Sequence, residues 1–240
     1  VGAGLVQIYT ASENRLALQE LLPEAIISCY DSYDDSQLSH LLDWADVVCI
    51  GCGLGMGQIS EKILKNVLKK VSCPCVIDAD GLNLLSRNIE LLNQCCAPVI
   101  LTPHMKEMSR LTGWSIDTIM EDRFQALDQI IKQSGPDTKS SIICVLKDSR
   151  TVVAQTNRQK FVNLAGNNSM AKGGSGDVLA GTIAGLLAQH MAPFEATTVG
   201  VFLHACGGDE AKKSKGSYSV LARDLIQGMA DAMKNAKECR

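Results

Sequence analysis

The sequence predicts an α/β fold: a central, mostly parallel sheet flanked by helices, with antiparallel strands at one edge and a helical C-terminal third. Three observations carry this. Short apolar runs such as "DVVCIG" and "PVILT" alternate with segments of helical apolar spacing, the pattern of strands joined by crossover helices. "SIICVLK" and "TVVAQT" lie only a few residues apart, with "KFVNLAG" close behind, too near for a crossover and therefore antiparallel. From Gly176 onward the apolar residues fall at helical spacing alone.

Each element follows in turn. "GLVQIYT" reads as a strand, Ser12 to Leu22 as a helix, and "AIISCY" as a second strand. Asp34 to Trp44 is helical, and "DVVCIG" is a third strand ending in glycines. Gln58 to Lys70 places Ile59, Ile63, Leu64 and Val67 on one helical face. "CVIDAD" and "PVILT" are further strands, then Glu107–Leu111 and Ser115–Gln133 are helical. The antiparallel runs follow, and helices close the chain near Asp177–His190, Phe194–Lys212 and Ser219–Lys234. With no repeat, low-complexity tract or linker, residues 1–240 form one domain.

Composition excludes several classes. The net charge of −3 provides no basic field for a phosphodiester backbone. Four Phe, four Tyr and two Trp leave few platforms for stacked bases, so no nucleic-acid partner is expected. No apolar run reaches the roughly 18 residues of a spanning helix, and no signal peptide opens the chain, so a cytoplasmic protein with no membrane partner is expected. The ten cysteines are therefore read as reduced thiols. "CIGC", Cys49 to Cys52, lacks a second ligand pair for zinc and is read as two buried small hydrophobes. The chain begins "VGAGLVQIYT", with no initiator Met and a strand already under way.

Four polar clusters lie at the carboxyl ends of predicted strands, where open α/β sheets bind ligands. The first is "GCGLGMG", Gly51 to Gly57, whose spacing fails the dinucleotide fingerprint but still allows amides to approach an anion. The second is "DADGLNLL": Asp78, Asp80 and Asn83 suit polar or magnesium-linked contacts, while Asp80 alone also suits the N-cap of a helix starting at Gly81. The third is "LTPHMKE", where Pro103 fixes the turn and His104 is a ligand-contact candidate. The fourth is "NNSMAKGGSGDVLAG". Lys172 precedes the glycines instead of following them, which excludes a Walker loop. What remains is a helix start whose amides at Gly174, Ser175 and Gly176 face a phosphate, with Asp177 in its first turn as a general base.

"GSGDVLAGTIAGLL" resembles the anion-hole and base motif of ribokinase-like small-molecule kinases. Together with "GCGLG", "DADGLNLL", "LTPHMKE" and "VLKDSRTVV", it makes the whole chain similar to the ADP/ATP-dependent NAD(P)H-hydrate dehydratases. The resemblance implies a ribokinase-like fold and a repair lyase acting on hydrated NADH or NADPH with ADP or ATP as phosphoryl donor and Mg2+ on the phosphates. It implies that Gly53, Gly55, His104 and Asp177 contact the hydrate, with Asp177 catalytic. The nucleotide would meet Lys147, Asp148, Ser149, Arg150, Thr151 and the Gly174–Gly176 turn. It also implies self-association into a homo-oligomer and an epimerase domain fused upstream or acting as a partner.

Three departures stand out. Cys52 takes the place of the family's usual proline, and Asp148 that of a glycine, which brings a negative charge toward the nucleotide. The first strand–helix unit that the resemblance places ahead of "GAGLV" does not precede it in this sequence, so either the sequence is a fragment or the expected site lacks a wall. Two alternatives remain at this stage: a vitamin-precursor or sugar kinase of the same fold, and an inactive nucleotide-binding domain within an assembly.

Overall fold

The computed structural model describes residues 1–132, 141–156 and 160–238. Strands β1 (Gln7–Ala11) and β2 (Ile26–Tyr30) pair in parallel as a two-stranded sheet, with α1 (Arg15–Leu21) between them. After α2 (Asp35–Trp44), a six-stranded sheet begins with β3 (Val48–Ile50), β4 (Cys75–Ile77), β5 (Val99–Leu101) and β6 (Ile142–Leu146), all parallel. Strands β7 (Val152–Gln155) and β8 (Phe161–Val162) add antiparallel to its edge. The predicted parallel order and antiparallel edge are both present. The single sheet is not, since β1–β2 stands apart from β3.

Strand alternation divides the core into two layers. Cys75, Ile77, Val99, Leu101, Ile142 and Cys144 face α3 (Gln58–Lys70), α4 (Ala79–Leu85), α5 (Met105–Thr112) and α7 (Arg123–Ile131). Val76, Ile100, Ile143 and Val145 face α8 (Ser175–Leu187) and α9 (Pro193–Lys215). Helix α10 (Ala222–Glu238) packs outside, on α9 and α8. Because β4, β5 and β6 are buried along their whole length, their sequences read as unbroken apolar runs.

Two expected boundaries shift for identifiable reasons. The helix expected over Ser115–Gln133 is two, α6 (Ile116–Glu121) and α7, because the Asp122 carboxylate caps the second through the Gln125 N–H; Gln133 lies outside the described residues. "CVIDAD" leaves the strand at Ile77, and α4 already contains Ala79 and Asp80. Asp80 therefore caps nothing at Gly81.

The separated strands leave a cleft of about 1020 Å³, lined on one side by β1 and on the other by β3, with Gly181 and Gly185 of α8 among its walls. None of residues 1–37 is buried, and Leu38 is the first that is. Cys49 and Cys52, expected inside, are both exposed; Cys49 and Cys52 line this cleft. No helix among the described residues is long and apolar enough to cross a membrane.

Candidate active site

The four sequence clusters meet at the carboxyl end of the six-stranded sheet, beginning with the turn after β3. Gly51 has φ 122°, and a β-carbon there would lie 1.9 Å from the Asp78 carbonyl oxygen, so only glycine fits. The loop it opens is tied to α4 by the Gly55 N–H, which donates to Asp80 Oδ2 at 2.9 Å. Asp80 thus ties the glycine loop to α4. Ala79, at φ 49°, turns the chain between Asp78 and Asp80 in a left-handed conformation uncommon outside glycine.

Asp78 is buried, and its Oδ1 accepts from Lys147 Nζ at 2.6 Å. Lys147 extends the sheet beside His104 through a parallel bridge, its N–H donating to the Pro103 carbonyl at 2.8 Å. The same ammonium lies 3.9 Å from Glu107 Oε2, giving two carboxylates around one cation. Burial nevertheless holds the Glu107 carboxyl above its ordinary range, against the pull of the His104 N–H and Lys147. Asn83, expected beside Asp78, is instead turned to Arg110, whose Nη1 donates to its Oδ1 at 2.5 Å.

His104 caps α5. Its Nδ1 accepts from the N–H groups of Lys106 and Glu107 at 3.1 and 3.2 Å, while Glu107 Oε2 accepts the His104 N–H at 2.8 Å. A ring whose Nδ1 accepts carries its proton on Nε2 when neutral. Nε2 lies 3.5 Å from Glu107 Oε1, and the side chain is half exposed. The histidine is at once a structural cap and a half-exposed ring whose Nε2 neighbours Glu107.

Helix α8 starts at Ser175 after Gly174, which has φ 86°. The Ser175 N–H is already given to the Lys172 carbonyl at 3.2 Å, and its hydroxyl lies 3.4 Å from buried His204 Nε2. Ser175 therefore turns inward, a correction to its expected phosphate contact. First-turn amides have no intrahelical acceptor, so the outward donors here are those of Gly176 and Asp177. A β-carbon on Gly176 would lie 3.1 Å from Lys147 Nζ and 3.4 Å from Asp78 Oδ2, which places the helix start directly on the ion pair. Asp177 is exposed, and ligand atoms of Asp177, Asp78 and Cys52 lie within 4.8 Å of one another. The Cys52 thiol, partly screened from solvent although the residue is exposed overall, is pushed up by its hydrogen bond to Cys49, by that screening and by the neighbouring Asp177 carboxylate, so it stays protonated.

The loop joining β6 to β7 carries Lys147 to Thr151. Asp148, the expected liability, is engaged by Arg123 Nη1 at 3.0 Å. Arg150 reaches the Leu164 carbonyl at 3.4 Å, and the Thr151 hydroxyl donates to the Asp148 carbonyl at 3.2 Å. Ser149 sits at the turn. Sequence reasoning missed Arg123, and it missed Asp209, which accepts from the Asn167 side chain at 2.7 Å and the Gly166 N–H at 3.2 Å, holding the glycine stretch to α9. Asn167 in turn caps the next short turn through the Ser169 N–H. Partners 42 and 43 residues apart leave no local signal.

The chain is 34% identical over 236 residues to the ADP-dependent (S)-NAD(P)H-hydrate dehydratase of Enterococcus faecalis, covering 97% of this chain and 76% of that protein. It is 37% identical over 226 residues to the bifunctional NAD(P)H-hydrate repair enzyme of Coxiella burnetii, covering 94% of this chain and 44% of that protein. It spans less than half the length of the bifunctional relatives it matches. A Bacillus subtilis ADP/ATP-dependent NAD(P)H-hydrate dehydratase, co-crystallised with ATP/Mg2+ and soaked with CoA, superposes with a TM-score of 0.81 at 27% identity, covering 98% of this chain and 82% of that one. The carbohydrate-kinase family described as NAD(P)H-hydrate dehydratase matches residues 1–230, and the chain therefore belongs to that family.

Proposed function

We propose that this chain returns hydrated NADH or NADPH to the reduced dinucleotide, using ADP or ATP as phosphoryl donor. The observation that carries the reading is the placement of Asp177. It is exposed in the first turn of α8, with the Lys147–Asp78 pair against Gly176 on the same turn. The glycine loop reaches it through Cys52, and Lys147 sits beside His104 at the end of the sheet.

In this reading the hydrate rests against Gly53, Gly55 and His104, its C6 hydroxyl toward Asp177. The carboxylate takes the hydroxyl proton, and the oxygen attacks the terminal phosphorus as the bond to the leaving nucleotide oxygen breaks. ADP leaves AMP, and ATP leaves ADP. The ring nitrogen lone pair then expels phosphate from C6, and loss of a C5 proton restores the dihydropyridine. Lys147 and the Gly176 and Asp177 amides offset charge on the transferring group, aided by the helix dipole.

Cys52, Asp78 and Asp177 do not make a magnesium cage, since Asp78 Oδ1 is held by Lys147 and a protonated thiol is a poor ligand for a hard cation. Magnesium enters this reading as an ion carried by the nucleotide phosphates, whose charge it neutralises. The bifunctional relatives support a second, epimerising domain as partner. Homo-oligomerisation and a cytoplasmic setting belong to the same reading. So does one 1–240 unit with room for a further strand, which the cleft between β1 and β3 supports.

The test incubates the protein with hydrated NADH and ADP and follows the absorbance of the reduced ring. Recovery of that absorbance with one AMP and one phosphate per ring is expected. A flat trace with both ADP and ATP overturns the proposal.

A further inference from the structure

A second, smaller cavity of about 360 Å³ is lined by Met56, Asn83, Ser86, Arg87 and Arg110. Two guanidinium groups share it, and none of its lining residues is acidic. Arg110 spends one N–H on the neutral Asn83 amide oxygen, and neither arginine forms an ion pair among the described residues. Two unneutralised cations in one concavity repel each other and favour an anion between them. Arginine's planar fork suits the oxygens of a phosphate in particular.

The location gives the anion its identity. Met56 belongs to the glycine loop, next to Gly55, which Asp80 ties to α4. Arg87 follows α4, and Arg110 lies on α5, the helix that His104 caps. Six residues separate His104 from Arg110, on the order of 9 Å along the helix. A nicotinamide ring beside His104 is followed, beyond one ribose, by the phosphates of its own dinucleotide. Resting on the reading of the hydrate site above, we propose that the Arg87–Arg110 pocket binds phosphate of the dinucleotide substrate, separate from the phosphates of the donor nucleotide at Lys147–Thr151.

Both arginines are exposed, so alanine substitution leaves the core intact. The experiment compares wild type, Arg87→Ala, and Arg87→Ala with Arg110→Ala, using NADH hydrate and NADPH hydrate separately at fixed ADP. In the double variant the KM for hydrate should rise about tenfold, with kcat and the KM for ADP within about twofold. The single variant, which keeps the Arg110–Asn83 bond, should fall between. A rise for both hydrates assigns the pocket to the bridging pyrophosphate, and a rise for NADPH hydrate alone assigns it to the ribose phosphate. Unchanged KM for both hydrates overturns the proposal. Calorimetry with NADP+ is read alongside. If wild type turns over neither hydrate, the catalytic reading fails, and the pocket is judged by binding alone: weaker NADP+ binding in the double variant supports it, and equal binding overturns it.

Discussion

Arg123 Nη1 lies 3.0 Å from Asp148 Oδ2, so the carboxylate that stands where the resemblance expects a glycine is directed to α7. Both side chains are partly exposed, and such a pair contributes no more than about 1 kcal/mol to stability. Its effect belongs on binding. Arg123→Ala should leave the unfolding free energy within about 1 kcal/mol of wild type. It should also raise the KM for ADP several-fold, as a free carboxylate then faces phosphate oxygens. Adding Asp148→Asn should restore the KM; no restoration would count against the charge as cause. The same pairing removes one support for an inactive nucleotide-binding domain.

Asp177 is tested by Asp177→Asn, which keeps shape and removes basicity. Turnover should fall by about 10²–10⁴-fold. ADP binding by calorimetry should be largely retained, because the amides of the α8 start remain. Equal turnover in the two proteins removes Asp177 from the chemistry.

His104 serves two ends, and two substitutions separate them. His104→Ala loses the cap of α5, at a cost of about 1 kcal/mol in urea unfolding, and also loses the Nε2 donor. His104→Asn restores a capping acceptor without that donor. Both should raise the KM for hydrate, but only the alanine variant should be less stable. A normal KM in the asparagine variant assigns the histidine to the helix alone.

Burial lowers the His204 pKa from 6.5 to about 4. The unfolded chain therefore binds a proton that the folded chain refuses. The resulting stability is fully present above about pH 6.5 and is lost as pH falls toward 4, amounting to about 3 kcal/mol. Glu107, raised by burial, runs the opposite way: its contribution favours the fold at low pH and weakens as pH rises through its folded pKa. Comparing urea unfolding of wild type and His204→Gln between pH 7 and 4.5 isolates the histidine. The variant should show a shallower loss on acidification, and parallel pH curves would contradict the assignment.

Much of the fold was legible because β4, β5 and β6 are buried on both faces, which forces the apolar runs that mark them. The helix start at Asp177 was equally plain, since glycines, acid and apolar face are contiguous. What escaped is what closes over distance. Lys147 and Asp78 are 69 residues apart, and nothing near either one names its partner. Asp80 reads as a cap because aspartate is a favoured residue at helix starts; its acceptor role depends on Gly55, 25 residues earlier. Ser175 appeared to face a phosphate until His204 was found behind it. The gap between β1 and β3 has no sequence signature, because a strand's edge is defined by what lies beside it.

That gap gives the molecule two strengths rather than one. β1 and β2 share a single ladder, none of their side chains is fully buried, and no buried residue precedes Leu38. Amide protons there should exchange by local opening, while those of β4 to β6 wait for the whole domain to unfold. Hydrogen exchange should therefore separate Ile8, Tyr9 and Thr10 from Val76, Ile100 and Ile143 by several orders of magnitude, and equal protection would show one cooperative unit. A protease added to the native protein should make its first cut ahead of Leu38, leaving the larger part that carries His104, Lys147 and Asp177 standing.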